Sequence, residues 1–216
     1  MKTLKSLFTL VLAATTLMFA GAAAAQQEEP ITFIKRISED VMNIAKTDKE
    51  IQGGNQRRVL DVVEAKIIPN VNFQRMTSLA AGRFWREATP EQQKQLVAEF
   101  RDLLVYTYSG AIAQVRDQEI EFKPLRGNPN DDEVEVRSQV VQQRGEPIQI
   151  NYRLEKTPAG WKIYDVNVLG AWLVETYKGN FASEINKGGI DGLIKTLSER
   201  NKKLAASATR AKNSKS

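Results

Sequence analysis

Residues 133–168 read EVEVRSQVVQQRGEPIQINYRLEKTPAGWKIYDVNV, and this stretch decides the fold class. Apolar and polar residues alternate in three runs, which are separated by the turn signals Gly-Glu-Pro at 145–147 and Pro-Ala-Gly at 158–160. Strict alternation is typical of half-buried β-strands, and connections this short favour antiparallel pairing. A further alternating run around Ile120 and Phe122 lies just upstream. We therefore expect a four-stranded antiparallel sheet with one buried face.

The last of these strands changes phase part-way along. Trp161 and Ile163 alternate with polar residues, whereas Tyr164, Val166 and Val168 follow the opposite phase. One extra residue inserted in a strand produces such a change. We expect a β-bulge between Ile163 and Tyr164.

Helical periodicity surrounds the sheet segment on both sides, with apolar residues recurring about every 3.6 positions. The pattern predicts helices over 31–52, 59–67, 76–86 and 90–116 before the sheet, and over 172–187 and 190–204 after it. The glycine pair at 188–189 separates the last two helices. This order of elements predicts a single compact α+β body with helices packed on one sheet face.

The helix predicted from residue 90 has the clearest start signal. Thr89 is an N-cap residue, Pro90 suits the first helical position, and Gln92 completes a capping box. The apolar stripe of this helix is wider than a helix lying on one surface needs. We expect it to be covered on more than one side.

The composition excludes many kinds of chemistry, because the 216 residues include no cysteine and no histidine. Disulfides, thiol nucleophiles, Ser-His-Asp catalysis and nearly all transition-metal sites are therefore absent. No glycine-rich phosphate loop follows a strand. The acidic run Asp131-Asp132-Glu133 lacks the spacing of a calcium loop, and we interpret it as a solvated turn. We predict no metal site and no catalytic residues.

The excess of 31 basic over 26 acidic residues belongs to the two ends of the chain. Residues 1–25 combine Lys2 and Lys5 with an apolar run and a small-residue cleavage site, which predicts a signal peptide. The segment 201–216 is basic and poor in apolar residues, which predicts a disordered tail. Since the body between them is slightly acidic, a nucleic-acid-binding function is disfavoured.

The sheet and the long helix offer more apolar surface than a simple two-layer contact requires. Periodicity alone leaves two interpretations open, a solid core and a ligand cavity. An enzymatic interpretation is also open. Asp165 lies on the last strand, and its carboxylate would act as a base if it faced an apolar cavity.

Two long blocks of the sequence have a recognisable pattern. Residues 72–112 read NFQRMTSLAAGRFWREATPEQQKQLVAEFRDLLVYTYSGAI, and residues 161–200 read WKIYDVNVLGAWLVETYKGNFASEINKGGIDGLIKTLSER. Both blocks resemble the MlaC family of phospholipid carriers. The resemblance covers about Ile31 to Arg200, so we assign a phospholipid-carrier domain to 26–200. The tail lies outside it.

The resemblance implies a periplasmic carrier that moves glycerophospholipid between an outer-membrane lipoprotein–porin complex and an inner-membrane ABC transporter with an MCE-domain ring. It also implies that the acyl chains lie in a hydrophobic cavity between sheet and helices while the headgroup stays outside. The bound phospholipid would be cargo, with no further cofactor. No nucleic-acid partner is expected.

If such a cavity exists, its lining should come from the apolar positions that face the interior of sheet and helices. Periodicity and placement nominate twelve lipid-binding residues. They are Phe100, Leu104, Tyr108 and Ile112 from the long helix, Val134, Val136, Ile150, Tyr152, Tyr164 and Val166 from the sheet, and Trp172 and Phe181 from the helix after it.

Two rival functions have different signatures. An enzyme acting on a small apolar substrate would use Asp165 as its base and show pH-dependent turnover. An interaction module would have a solid core and bind no lipid. Bound phospholipid in the purified protein favours the carrier over both.

Overall fold

The computed structural model describes residues 28–143 and 145–213, with side chains through 208. The predicted signal peptide lies outside the described residues. Within these ranges, six α-helices precede five strands and one α-helix follows them, which matches the predicted order of helices, sheet and helix. The helices are α1 Pro30–Thr47, α2 Lys49–Gln52, α3 Gln56–Val62, α4 Phe73–Ala81, α5 Phe84–Glu87, α6 Pro90–Tyr108 and α7 Leu173–Asn213.

The sheet is an antiparallel meander of five strands in sequence order. The strands are β1 Glu119–Phe122, β2 Glu133–Val141, β3 Ile148–Thr157, β4 Gly160–Val168 and β5 Ala171–Trp172. The predicted count of four strands is therefore wrong by one. The two residues of β5 pair with Asn167 and Val168 across a tight turn, and a strand this short leaves no alternating pattern to read.

The predicted bulge is present in β4. Leu154 of β3 pairs with Ile163, whereas the preceding Arg153 pairs with Asp165, so Tyr164 is the extra residue. Ile163 and Val166 consequently share the apolar face of the sheet even though three positions separate them.

The helix starting at Pro90 has the predicted capping box, in which Thr89 Oγ1 accepts from the Gln92 amide and Gln92 Oε1 accepts from the Thr89 amide. Its α-helical part ends at Tyr108 and continues as a 3₁₀ helix over Ser109–Gln114. Poorer 3₁₀ geometry favours short segments of this kind at helix ends.

Two helices predicted as continuous are broken. Asp48 has extended backbone and accepts from the Glu50 and Ile51 amides, so it ends α1 and caps α2. Gly82 has a φ of 57° and separates α4 from α5. Between α3 and α4, a π-helix over Val63–Ile67 leads into a short 3₁₀ turn.

The last helix extends further than predicted. The backbone of α7 leaves helical geometry at Gly189 (φ 69°, ψ −173°), which confirms the stop predicted at the glycine pair, and the helix then continues to Asn213. Asn201 is buried, and its side-chain amide donates to the Glu99 carbonyl at 2.8 Å. Helix α7 therefore extends through Asn213 into the segment 201–216, for which the sequence predicts disorder, because a helix anchored this way elongates without a new nucleation cost.

The interior contains two main apolar clusters. One packs α1, through Phe33, Ile34 and Ile37, against one end of the sheet. The other joins α4, α6 and α7, where Phe100 makes edge contacts with two further rings at centroid distances of 4.9 and 5.0 Å. Val71 and Val166 contact both clusters and also line a cavity, which is described below.

Candidate functional site

A cavity of about 630 Å³ lies between the sheet and the helices. Its size falls within the usual range for small-molecule sites. The position of the cavity follows from the burial of residues along the apolar face of the sheet. At one end of that face Val134 and Val136 are buried in the cluster with α1, whereas at the other end Val140, Ile148 and Ile150 are half-buried and line the cavity. The cavity occupies this less covered end.

The cavity lining contains no charged residue among those the structure describes. Most of its members are aliphatic or aromatic, and they come from every layer of the fold. The lining comprises Met42, Val63, Ile67, Ile68, Val71, Phe73, Met76, Leu104, Val105, Tyr108, Ser109, Ala111, Ile112, Gln114, Val115, Gln118, Val140, Gln142, Ile148, Ile150, Val166, Val168, Leu169 and Leu173. A wall of this chemistry favours a hydrocarbon guest and disfavours an ionic one.

The exposed lining residues mark where the cavity opens. Tyr108, Ala111, Gln114 and Leu169 both line the cavity and are accessible to solvent, and we call them the cavity mouth. The polar lining residues concentrate near it, since most lie on the segment 108–118. The site is therefore apolar in depth and neutral but polar at its opening.

Five of the twelve residues nominated from the sequence lie in this lining: Leu104, Tyr108, Ile112, Ile150 and Val166. The three from the long helix lie in its last turns and in the 3₁₀ segment that follows. The structure thus brings residues from α6, β3 and β4 to one space. Whether they contact lipid stays a prediction.

The other seven nominated residues lie outside the lining, and three of them belong to the covered part of the sheet. Val134 and Val136 pack in the cluster beneath α1. Tyr152 packs against the same cluster, and burial raises the pKa of its hydroxyl, which has Ser38 and Ser138 as hydrogen-bond partners. The alternation of apolar and polar residues correctly predicts that these three side chains lie on the apolar face of the sheet. It does not show which end of that face a helix covers.

Phe100 and Phe181 are core residues between α6 and α7. Both are almost completely buried, and their rings meet Tyr177 in edge-to-face or tilted contacts. Burial and the neighbouring Tyr108 raise the pKa of Tyr177 to about 12. The part of α6 before Leu104 therefore forms a solid contact, and only its end faces the cavity.

Tyr164 and Trp172 lie on the polar side of the sheet. The bulge turns Tyr164 outward, where its hydroxyl donates to Glu133 Oε2 at 2.8 Å and its ring lies 3.8 Å from the Arg75 guanidinium. Burial and the adjacent Glu133 raise the pKa of Tyr164 to about 12. Trp172 lies in β5 and stacks under Arg153 at 3.9 Å.

Both carboxylate oxygens of Asp165 are engaged by contacts within the protein. Oδ1 accepts from the Val174 amide at 3.0 Å and from the Val166 amide at 2.9 Å, so it supports the first turn of α7. Oδ2 pairs with Arg153 at 3.3 Å. Burial raises the pKa of Asp165, but it is not part of the cavity lining. The geometry offers no contact between this carboxylate and a guest in the cavity.

Sequence reasoning missed the contribution of the N-terminal helices. Met42 of α1, Val63 and Ile67 of the π-helix, and Phe73 and Met76 of α4 all line the cavity. A signal was present, since apolar residues crowd the segment around Pro69 more densely than a single packed helix face requires. The π-helix widens its turn there, as such segments often do at functional sites.

Two negative findings apply to the described ranges, 28–143 and 145–213. No group of three or more carboxylates there could hold a metal ion; Glu133, from the acidic run, pairs with Arg75 at 2.5 Å. Nor does any helix in that part of the chain have the length and hydropathy to cross a bilayer.

Comparison with known proteins identifies the family. The model of the MlaC family, described as MlaC protein, matches residues 35–199, well over half of the sequence. The chain belongs to the MlaC family.

Curated relatives of the MlaC family match over most of their length. The intermembrane phospholipid transport system binding protein MlaC of Haemophilus influenzae is 21% identical over 199 residues, which cover 91% of this chain and 93% of the relative. The toluene tolerance protein ttg2D of Pseudomonas putida is 24% identical over 171 residues, 79% of each chain.

A solved structure is also similar to this MlaC-family chain. The phospholipid-binding protein of Ralstonia solanacearum, solved in complex with a phospholipid at 1.53 Å resolution, is 46% identical to this chain. The TM-score is 0.78, and the match covers 82% of this chain and 99% of that one. The family resemblance inferred from the two sequence blocks is confirmed.

Proposed function

We propose that this protein is a periplasmic phospholipid carrier that encloses acyl chains in the cavity between its sheet and its helices. The observation that carries the proposal is the cavity of about 630 Å³ whose lining, in the described residues, has no charged side chain. The phospholipid complex of the Ralstonia solanacearum protein, at 46% identity, supports the same class of cargo.

The energetics of the guest favour a site of this kind. Each methylene that leaves water contributes about 0.8 kcal/mol, so two long acyl chains represent more than about 20 kcal/mol of transfer free energy. A polar cleft offers no such compensation for extracting a lipid from a bilayer. Met42 and Met76 add flexible side chains that adapt to chains of different length and unsaturation.

The polar groups at the opening suit a headgroup that remains near solvent. Gln114 and Gln142 line the cavity and carry amide groups that donate hydrogen bonds without a fixed charge. With no charged residue in the lining, we expect weak discrimination between anionic and zwitterionic headgroups. Selection would depend on acyl volume instead.

The wider role follows from the family. We infer export by the signal peptide at 1–25, and exchange of cargo with an outer-membrane lipoprotein–porin complex and an inner-membrane MCE-domain ABC transporter. The name of the Haemophilus influenzae relative, which places that protein in an intermembrane phospholipid transport system, supports this role.

An enzymatic function with Asp165 as base has less support. Its carboxylate is engaged by two backbone amides and by Arg153, and it does not line the cavity. We therefore propose no catalytic residue.

The test is a blocked cavity. Ile150→Trp adds bulk at a cavity-lining position, whereas Gln149→Trp places the same side chain on the exposed opposite face of β3. We expect wild type and Gln149→Trp to extract fluorescent phospholipid from vesicles, and folded Ile150→Trp to extract at least about tenfold less. Equal extraction by both variants, with matching circular dichroism and melting temperature, would refute this site.

A further inference from the structure

The apolar residues left exposed by the fold gather at the cavity mouth. Within the part of the chain that the structure describes, three large hydrophobic residues are exposed: Leu79, Tyr108 and Leu169, at 39%, 41% and 71%. Two of these three line the cavity. Exposed apolar side chains that rim an apolar cavity mark a surface that meets another apolar phase.

Leu169 is held at the tip of a tight turn in a conformation that leucine disfavours. Val168 pairs with Ala171, so Leu169 and Gly170 form a two-residue hairpin loop with φ values of 53° and 89°. Both values are positive, as in the type I′ turn, where Asn-Gly is the preferred pair. Leu169 is the one non-glycine residue with positive φ among the described residues. Neither backbone preference nor burial explains a leucine there.

The turn that presents Leu169 is firmly built. The Leu169 amide donates to the Gln149 carbonyl at 3.1 Å, and the Gly170 amide donates to Asn167 Oδ1 at 3.0 Å. The side chain therefore projects from a hydrogen-bonded hairpin. A rigid apolar tip enters an apolar phase without losing backbone freedom.

The basic end of α7 extends toward the same mouth. Beyond Gly189 the helix runs alongside α6 in the same direction, because Asp191 bonds to Gln92 and Asn201 bonds to Glu99. Nine residues beyond these last two partners come Arg210 and Tyr108, so the backbones of both lie about 13 Å further along their helices. The helix end thus reaches the level of the cavity mouth.

This helix end carries positive charge alone. Arg200, Lys202, Lys203, Arg210 and Lys212 lie on α7 after the last acidic residue of the sequence, Glu199. The match to the family model ends at residue 199, so this basic segment is a feature of this chain beyond that match. Clustered cations next to a membrane-facing surface attract anionic lipid.

We infer that the cavity mouth docks directly on an anionic bilayer surface, with Leu169 and Tyr108 entering the acyl region and the basic end of α7 contacting the headgroups. The inference rests on the proposed carrier function and adds the surface from which cargo is exchanged. Two independent features match the two layers of such a membrane. The exposed apolar side chains match the acyl region, and the basic helix end matches the anionic headgroups.

Vesicle sedimentation tests the docking with matched variants. Vesicles made of two parts phosphatidylcholine to one part phosphatidylglycerol should pellet the wild-type protein at low salt, and pure phosphatidylcholine should pellet less. Leu169→Asn suits the turn, so it should fold normally and bind about tenfold more weakly. Leu79→Asn removes an exposed apolar residue away from the mouth and should bind like wild type.

A charge comparison completes the test. The variant K202Q/K203Q/R210Q/K212Q should lose more than about tenfold in affinity at low salt. The control R83Q/R86Q/K94Q/K187Q removes equal charge near the other end of α6 and should retain most binding. Wild type that fails to sediment, or equal losses within either matched pair, would overturn the inference.

Native mass spectrometry of the same samples separates this inference from the proposed function. If docking is correct, the variant K202Q/K203Q/R210Q/K212Q, whose four positions lie outside the cavity lining, still carries phospholipid while binding vesicles weakly. Wild type that carries phospholipid yet never binds vesicles would refute docking alone, whereas wild type that carries none would refute the carrier function.

Discussion

Glu133 lies at the centre of a polar cluster on the outer side of the sheet. Its carboxylate pairs with Arg75 at 2.5 Å and accepts from the Tyr164 hydroxyl at 2.8 Å, and both contacts lower its pKa from the ordinary value of 4.5. Arg75 also pairs with Glu155 at 2.6 Å. This cluster joins α4 to β2, β3 and the bulge of β4, which positions α4 and its cavity-lining residues against the sheet.

We expect this cluster to make the protein less stable in acid. Because folding lowers the pKa of Glu133, the ionised carboxylate stabilises the native state above pH 4.5, and that contribution is lost as the pH falls through the lowered value. Glu133→Gln cannot titrate, so its free energy of unfolding should fall less between neutral pH and about pH 3.5. Urea unfolding at the two pH values measures the difference. Equal losses in wild type and variant would contradict this role.

At the scale of elements, local signals in the sequence specified much of the fold. The capping box at Thr89, the bulge at Tyr164 and the stop at Gly189 all depend on a few neighbouring residues, and all three are present. The extension of α7 past Arg200 depends on a distant partner, because Asn201 contacts Glu99 of α6. Such a tertiary contact leaves no periodic trace, and the two residues of β5 are too few to show alternation, so sequence reasoning missed both.

The two glycines within α7 allow a test of how the break between its halves is enforced. Gly189 has a φ of 69°, and no described atom outside its chain neighbours and the adjoining helix backbone lies within 4 Å of the point that a Cβ would occupy, so an added side chain meets only backbone strain. We expect Gly189→Ala to destabilise the protein by about 1 kcal/mol. Gly188→Ala also meets open space but has no positive φ, and it should be neutral or stabilising by up to about 1 kcal/mol. Chemical denaturation measures the free energy of unfolding of both variants. Changes of the same sign in the two variants would contradict the assigned geometry.

Across the whole molecule, the periodicity of the sequence does not distinguish residues that line the cavity from residues in the packed core. Alternation placed Val136 and Ile150 on the same sheet face, yet one is fully buried beneath α1 and the other borders the cavity. The long helix shows the same division between Phe100 and Leu104. The difference depends on which neighbouring elements cover each residue, and this is a property of the assembled layers and not of any one strand or helix.

If the uncharged cavity between sheet and helices holds phospholipid acyl chains, the purified protein should carry lipid. A native mass spectrum of the wild-type protein as purified, with bound species identified by fragmentation, measures this. We expect close to one phospholipid per chain, with mixed headgroups and acyl lengths. Protein that is consistently empty, and that stays empty after incubation with phospholipid vesicles, would contradict it.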